Sequence, residues 1–289
     1  MSAVHWHRLK RGWLQAVSAI AANAYLPGFL RGLIYRGRTK ALCVPFLNCY
    51  SCPGALGACP VGAFQSLAAA AGQRVSFYVL GFVTAVGAAS GRLVCGWLCP
   101  FGAIQDLLGR RAPRRRLPAY ISGLRYVFLL LTVALPFIIV TPLGSEPYFC
   151  KYVCPAGTLE AGIPLAIANP GIRAALGALF SWKAAVLAFF IAASFLVYRP
   201  FCRTTCPLGA FYGLFNPVAL SRLAVKREEC TACGRCTAAC PLGIDVASTP
   251  NSPDCIRCLD CTRACPTGAL RLRPVAQQAD GQRKEEIRT

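Results

Sequence analysis

The chain has 289 residues, 55% hydrophobic and only 15% charged, with a net charge of +20 from 31 Lys/Arg and 11 Asp/Glu. A soluble domain carries about a quarter charged residues, so an ordinary cytosolic globule is excluded, and so is intrinsic disorder, which needs a less apolar chain. His5 and His7 are the only histidines and Met1 the only methionine, which excludes a bis-histidine haem and a Cys/His zinc finger and leaves the 18 cysteines to hold any metal.

In chain order, four apolar stretches reach or approach the roughly 20 residues that span a bilayer. They are Trp13 to Leu30, Val75 to Val94, Ala119 to Val140 and Ala174 to Tyr198. The start, basic residues before an apolar run and Ala22-Asn23-Ala24, resembles a signal peptide. Apolar character continues to Ile34, however, which favours a retained helix. Arg92, Arg125 and Lys183 lie toward segment ends and are expected to snorkel. Trp13, Trp97, Tyr148 and Tyr198 are expected in an aromatic belt. Arg110, Arg111, Arg114, Arg115 and Arg116 follow the second span. The positive-inside rule then puts this loop and both termini in the cytoplasm. Because the basic residues flank apolar runs, they point to a lipid bilayer and not to nucleic acid.

Between the spans runs an internal repeat: Cys59-Pro-Val-Gly, Cys99-Pro-Phe-Gly, Cys154-Pro-Ala-Gly and Cys206-Pro-Leu-Gly. Repeats at this level reflect a repeated structural task. Three copies have a cysteine four residues earlier, Cys95, Cys150 and Cys202; in the first copy that position is Ala55, and Cys52 is the nearest upstream cysteine. Copies two and four follow spans two and four and should meet at the cytoplasmic edge. This predicts an inner site of Cys95, Cys99, Cys202 and Cys206. Copies one and three should meet at the other edge, as an outer site of Cys59, Cys150, Cys154 and Cys52 or Cys49. A [4Fe–4S] cluster is expected at the inner site and one more at the outer. Cu(I), zinc or a disulfide are the outer alternatives. Cys43 and Cys49 are left over when Cys52 is the ligand.

After the last span stand Cys230-x-x-Cys233-x-x-Cys236-x-x-x-Cys240-Pro241 and Cys255-x-x-Cys258-x-x-Cys261-x-x-x-Cys265-Pro266. This is the two-cluster bacterial ferredoxin run, in which the fourth cysteine of each run serves the other cluster. One cluster is therefore assigned Cys230, Cys233, Cys236 and Cys265, the other Cys255, Cys258, Cys261 and Cys240. The fold expected is an α-helical membrane protein with four transmembrane helices over residues 1–221. A small α+β two-[4Fe–4S] ferredoxin domain follows over 222–273, then a disordered polar tail over 274–289.

Cys95-Gly-Trp-Leu-Cys99-Pro100 and Cys202-Arg-Thr-Thr-Cys206-Pro207 resemble the edge motifs of the membrane polyferredoxins of the NapH/MauN/NosR type, and the similarity covers about residues 12 to 273. The departure is the cysteine-rich outer loop, Asn48-Cys49-Tyr50-Ser51-Cys52-Pro53-Gly54. The resemblance implies electron transfer between the quinone pool or a cytoplasmic donor and a redox partner protein, as a possible quinol dehydrogenase subunit. Location in a bacterial cytoplasmic membrane follows from the same reading. A CcoG-like copper or redox assembly factor and a cluster-based redox sensor are the alternatives. Asp106, Glu146 and Glu160, the only acids before residue 199, are candidates for a proton role, against plain charge compensation or helix capping.

Overall fold

The protein, seen here as a computed structural model, is described over residues 3–69, 76–139 and 145–274. The expected tail beyond residue 274 lies outside the described residues. Helices Ala119–Ile138 and Ala178–Leu196, of 20 and 19 residues, are long and apolar enough to cross a bilayer. At 1.5 Å per residue each reaches about 30 Å. Only 22% and 17% of their apolar windows are buried. Leu130, Phe189, Phe195 and Leu196 thus face outward, where a core helix would hide them.

Four such helices are expected from the sequence, and the other two segments differ for identifiable reasons. The second is a 14-residue helix, Phe77–Ser90. Ser76 caps it by accepting from the Val79 N–H, and Gly91 ends it at φ +53°. A Cβ at Gly91 would sit 2.3 Å from Asn216 Oδ1, so the chain turns where another element presses on it. The first segment is divided. Helix Ala3–Ala22 starts ten residues before the expected span, and a short helix, Leu26–Arg31, follows. Between them Asn23 donates to Ala19 O and Asn48 Oδ1, and Leu56 N–H bonds Ala22 O. Those ties to the cysteine-rich loop break the helix.

Each Cys-Pro-x-Gly copy begins a helix: Pro60–Ala69, Pro100–Leu108, Pro155–Gly157 and Pro207–Phe215. Proline suits the first helical position because its missing N–H needs no partner there. In the second and fourth copies the cysteine before it caps the helix: Cys99 and Cys206 sulfurs accept from the Gly102 and Gly209 N–H at 3.4 and 3.3 Å. One contiguous core contains Cys59, Cys154, Cys95, Cys99, Cys202 and Cys206, packed with Phe101, Phe149, Phe190 and Phe201.

The ferredoxin segment is closed by two antiparallel strands, β1 (Ser221–Val225) and β2 (Leu270–Pro274), in register from Ser221↔Pro274 to Val225↔Leu270. Its two cysteine loops repeat residue by residue. Ala232 and Arg257 have φ of 52° and 51°, Gly234 and Leu259 of 69° and 62°, and Gly243 and Gly268 of 67°. Left-handed backbone at Arg257 and Leu259 is unfavourable for side-chain-bearing residues. It turns successive N–H groups into a concavity of the kind that holds Fe–S sites.

The basic half of helix Ala3–Ala22 grips this segment. His7 Nε2 lies 2.8 Å from Cys258 O, and Arg8 pairs with Asp260 at 2.8 Å. Arg114 of the basic loop donates to Ala238 O. The N-terminal helix, the Arg-rich loop and the ferredoxin segment thus share one side of the molecule.

Candidate metal centres

Burial disfavours the thiolate at Cys59, Cys95, Cys99, Cys154 and Cys206 in the absence of metal. It pushes Cys59 up to about 12 and raises the other four. A metal must therefore displace protons to bind here, and groups that favour thiolates become informative.

Cys95, Cys99, Cys202 and Cys206 line one closed cavity of about 10 Å³ with Phe46, Leu47, Arg92, Leu208 and Gly209. The second and fourth copies are held together reciprocally. Arg92 Nη2 donates to Cys202 O at 2.8 Å, and Arg199 Nη1 donates to Cys95 O at 2.6 Å. Each arginine stands three residues before the first cysteine of its own motif and reaches the first cysteine of the other. The motif glycines follow from this. A Cβ on Gly209 would meet Arg92 Nη2 at 3.0 Å, and one on Gly102 would meet Arg199 Nη1 at 3.1 Å. Gln105 completes the join, donating to Cys202 Sγ at 3.2 Å and accepting from Phe201 N–H.

The outer set is gathered around a larger cavity of about 400 Å³, whose lining includes Cys49, Cys59, Cys150, Cys154 and Lys183. Of the two expected candidates for the fourth place, Cys49 lines this cavity and Cys52 does not. Cys52 is buried against Ala55, Ala161 and Leu165. Cys49 takes that place because cross-ties at the outer copies fix it there. Gln65 Oε1, six residues after Cys59, accepts from Cys150 N–H, and Glu160 Oε2, six residues after Cys154, accepts from Cys49 N–H at 2.7 Å. Burial raises Glu160 to about 7, against the opposing Cys49 N–H. Cys43 stands apart, in an isolated bridge to Ala58. Accordingly Cys49→Ser is expected to strip metal from the outer set while Cys52→Ser leaves metal content unchanged, read by metal analysis of the two purified variants.

In the ferredoxin segment Cys240, Cys255, Cys258 and Cys261 line a third cavity with Leu223, Leu242 and Ile256. The cross-run assignment from spacing groups the same four. The other quartet is at the surface, with Cys233 exposed and Cys230, Cys236 and Cys265 half-buried. The Arg235 N–H and the Thr231 hydroxyl lower Cys233.

These sets adjoin one another. Leu47 lines both the outer and inner cavities, and Phe149 of the outer lining lies 6.5 Å from Phe201, ring to ring. The two sets are thus one layer of side chains apart, not a bilayer apart as edge positions imply, because the outer loops fold back into the core. On the other side, a Cβ on Gly96 would sit 2.3 Å from Ile256 O, and Trp97 Nε1 donates to Arg257 O at 3.0 Å. The Cys95–Cys99 loop therefore lies directly on the Cys255–Cys258 loop.

Buried cations decide between a charged and a neutral centre. Arg92, Arg203 and Arg257 are 0%, 2% and 1% exposed. They donate to backbone carbonyls, and among the described residues no carboxylate lies within ion-pair reach of them. An uncompensated buried charge is costly. A cubane on four thiolates carries about −2 and would supply the missing anion, as disulfides would not. The thiol sets beside these arginines thus suit an anionic group, while among the described residues no three or more of His, Cys, Asp and Glu are already gathered as a metal site.

Several of these residues are not legible as functional from sequence. Arg92 and Arg125, expected to snorkel, are buried; Arg125 pairs with Asp254. Lys183 donates to Cys150 O. Trp97 and Tyr198 are not belt residues: Tyr198 donates to the Asp106 carboxylate, which also receives Arg199 and Arg11. Asp106 is thereby charge compensation, and Glu146 pairs with Lys151. The available signal was Arg at the same offset in Arg92-Leu-Val-Cys95 and Arg199-Pro-Phe-Cys202.

Comparison with known proteins agrees with this chemistry. The 4Fe-4S binding domain family matches residues 72–118, 126–163 and 179–227, which contain the last three motif copies. An uncharacterized protein of Methanocaldococcus jannaschii is 30% identical over 54% of this chain and 61% of its own length. The methylamine utilization ferredoxin-type protein MauN of Paracoccus denitrificans is 28% identical over 83% of this chain and 82% of its own. The ferredoxin-type protein NapH of Escherichia coli is 26% identical over 52% and 47%. The chain thus spans less than two thirds of the first and third of these relatives. No solved structure matches. With this family match and the paired motifs around buried thiols, the chain is similar to the ferredoxin-type iron–sulfur proteins of the NapH/MauN/NosR type.

Proposed function

We propose that the chain is a membrane-embedded electron relay with four [4Fe–4S] centres in line. The outer set is Cys49, Cys59, Cys150 and Cys154, and the inner set Cys95, Cys99, Cys202 and Cys206. Next come the near ferredoxin set, Cys240, Cys255, Cys258 and Cys261, and the far set, Cys230, Cys233, Cys236 and Cys265. Such a centre takes up and releases one electron without moving its ligands far. The observation that carries the reading is the contiguity of the sets: Leu47 borders two of them, and Gly96 and Trp97 press on the loop of the third. The protein's part is to hold these sets close and to keep the inner one, whose four cysteines are all buried, dry. At the far end the Cys233 sulfur is solvent-exposed and is the point of exchange with a soluble redox partner. The outer end, between apolar helices, exchanges with a lipid-soluble carrier of the quinone type.

Membrane insertion is supported by the outward apolar faces of Ala119–Ile138 and Ala178–Leu196. The Arg-rich loop, N-terminal helix and ferredoxin segment share one side, which by the positive-inside rule is the cytoplasm.

Iron and sulfide analysis of the purified full chain, with EPR of the reduced protein, tests the relay. About sixteen irons per chain are expected for four cubanes. About eight irons, with EPR signals from the ferredoxin segment alone, would reduce the protein to a tethered ferredoxin. Copper in the outer set would favour an assembly role.

A further inference from the structure

The inner set differs from the outer in what lies three residues before each first cysteine. At the inner set both positions are arginine, Arg92 and Arg199; at the outer set they are Phe46 and Pro147. The two inner arginines are related by the same cross-ties, yet their charges are not equivalent. Arg199 is held by the Asp106 carboxylate, with its Nε at 2.6 Å. Among the described residues no carboxylate lies within ion-pair reach of Arg92. Its Nη2 meets Cys202 O at 2.8 Å, its Nη1 meets Pro253 O at 3.1 Å and Asp254 O at 3.3 Å, and its Nε has no hydrogen-bond partner among the described residues. The side chain is fully buried and lines the four-thiol cavity.

Those acceptors belong to two different centres. Cys202 is in the inner set, and Pro253 and Asp254 immediately precede Cys255 of the near ferredoxin set. Asn216, also fully buried, braces the same junction. Its Oδ1 accepts from Arg92 N–H, and its Nδ2 donates to Ser252 O and Cys255 O at 2.9 and 2.7 Å.

We propose that Arg92 is a positioning residue whose uncompensated charge raises the reduction potential of the inner centre and whose fork fixes that centre against the near ferredoxin centre. The inference rests on the inner set holding a cluster. Reduction adds one electron and one negative charge to the centre, and no bond is made or broken. A buried cation at the cavity wall favours that added charge, in a medium where charges are poorly screened. Arg199 contributes less because the Asp106 carboxylate, which it shares with Arg11, offsets part of its charge. At the outer set the cation is Lys183, which donates to Cys150 O, and Glu160, which accepts from Cys49 N–H, stands beside the same set.

The test is an EPR-monitored redox titration of the full chain in detergent, with dithionite as reductant. The inner signal is identified as the one that Cys95→Ala abolishes. Arg92→Gln is expected to shift the inner midpoint downward, to move the near ferredoxin midpoint less and in the same direction, and to leave the far ferredoxin midpoint in place, while Arg92→Lys restores most of the shift. Should Arg92→Gln not retain iron, the glycine pair decides. Gly209→Ala presses on Arg92 and Gly102→Ala on Arg199, at nearly equal approach, and each glycine N–H caps its own cysteine alike. The proposal expects Gly209→Ala to lower the inner midpoint more than Gly102→Ala. Equal shifts for the two alanines, an unmoved midpoint in iron-replete Arg92→Gln, or a shift in Arg92→Lys as large as in Arg92→Gln would overturn it. Absence of any signal sensitive to Cys95→Ala would instead overturn the cluster assignment on which it rests.

Discussion

Cys95→Ser is expected to cost about four of about sixteen irons and to stop electron passage along the chain. Dithionite supplied at the exposed ferredoxin end should then still reduce both ferredoxin centres, with the outer centre left oxidised. The reason is position. Cys95 is buried in the short helix Leu93–Trp97, on the loop whose Gly96 abuts Ile256 O and whose Trp97 bonds Arg257 O. On its far side Leu47 and the Phe149–Phe201 contact lead to the outer cavity. The inner set therefore stands between the others, and its loss opens a gap in the middle of the line. The serine is nearly isosteric, so the fold should persist, although Arg92 loses the anion that compensates it. Iron analysis and EPR of each centre measure the effect. An outer centre still reduced at the wild-type rate would show that electrons reach it by another route.

Asp106→Asn is expected to be the most destabilising polar substitution, by about 3–5 kcal/mol, the usual cost of leaving a buried charge without its partner. Asp106 receives Arg199, Arg11, Tyr198 and Gln15. These tie the middle of helix Ala3–Ala22 and the residues just after helix Ala178–Leu196 to the helix carrying the second motif. The arginine side chains are 0% and 5% exposed, so removing the carboxylate strands two cations at once. The pH dependence has a definite sign. Burial alone would raise Asp106, but Arg199 and Arg11 outweigh it and hold the carboxyl below its ordinary 3.8. A depressed folded value means that the contribution is fully present above the unfolded value and is lost as pH falls through the folded one. Thermal unfolding in detergent should therefore show the gap between wild type and Asp106→Asn at neutral pH and its narrowing in acid.

Much of the site was legible before any coordinates because it is written in short-range spacing. Cysteines three apart wrap one side of a cubane, and a Cys-Pro-x-Gly repeat announces four helix starts whatever surrounds them. The alternation of motifs with apolar segments also carries topology, since each crossing reverses the side; from it comes the grouping of copies two with four and one with three. Local rules failed where a long-range contact outweighed them. The nearest cysteine upstream of Cys59 is Cys52, yet Glu160, more than a hundred residues away, holds Cys49 at the cavity. Arg92 lies at the end of an apolar run, and hydropathy reads it as a snorkelling residue. Its partners are carbonyls of residues 202, 253 and 254, which no window along the chain can place.

The sequence by itself determined the chemistry and the count: eighteen cysteines, two ferredoxin runs and four repeats that each begin a helix, because ligand type and spacing are local properties of the chain. Only the tertiary structure decided the order of the sets, their separation by a single layer of side chains and the arginine between two of them. Those depend on how loops fold back and on which buried charge finds a counter-charge, and both are settled by the whole packed core.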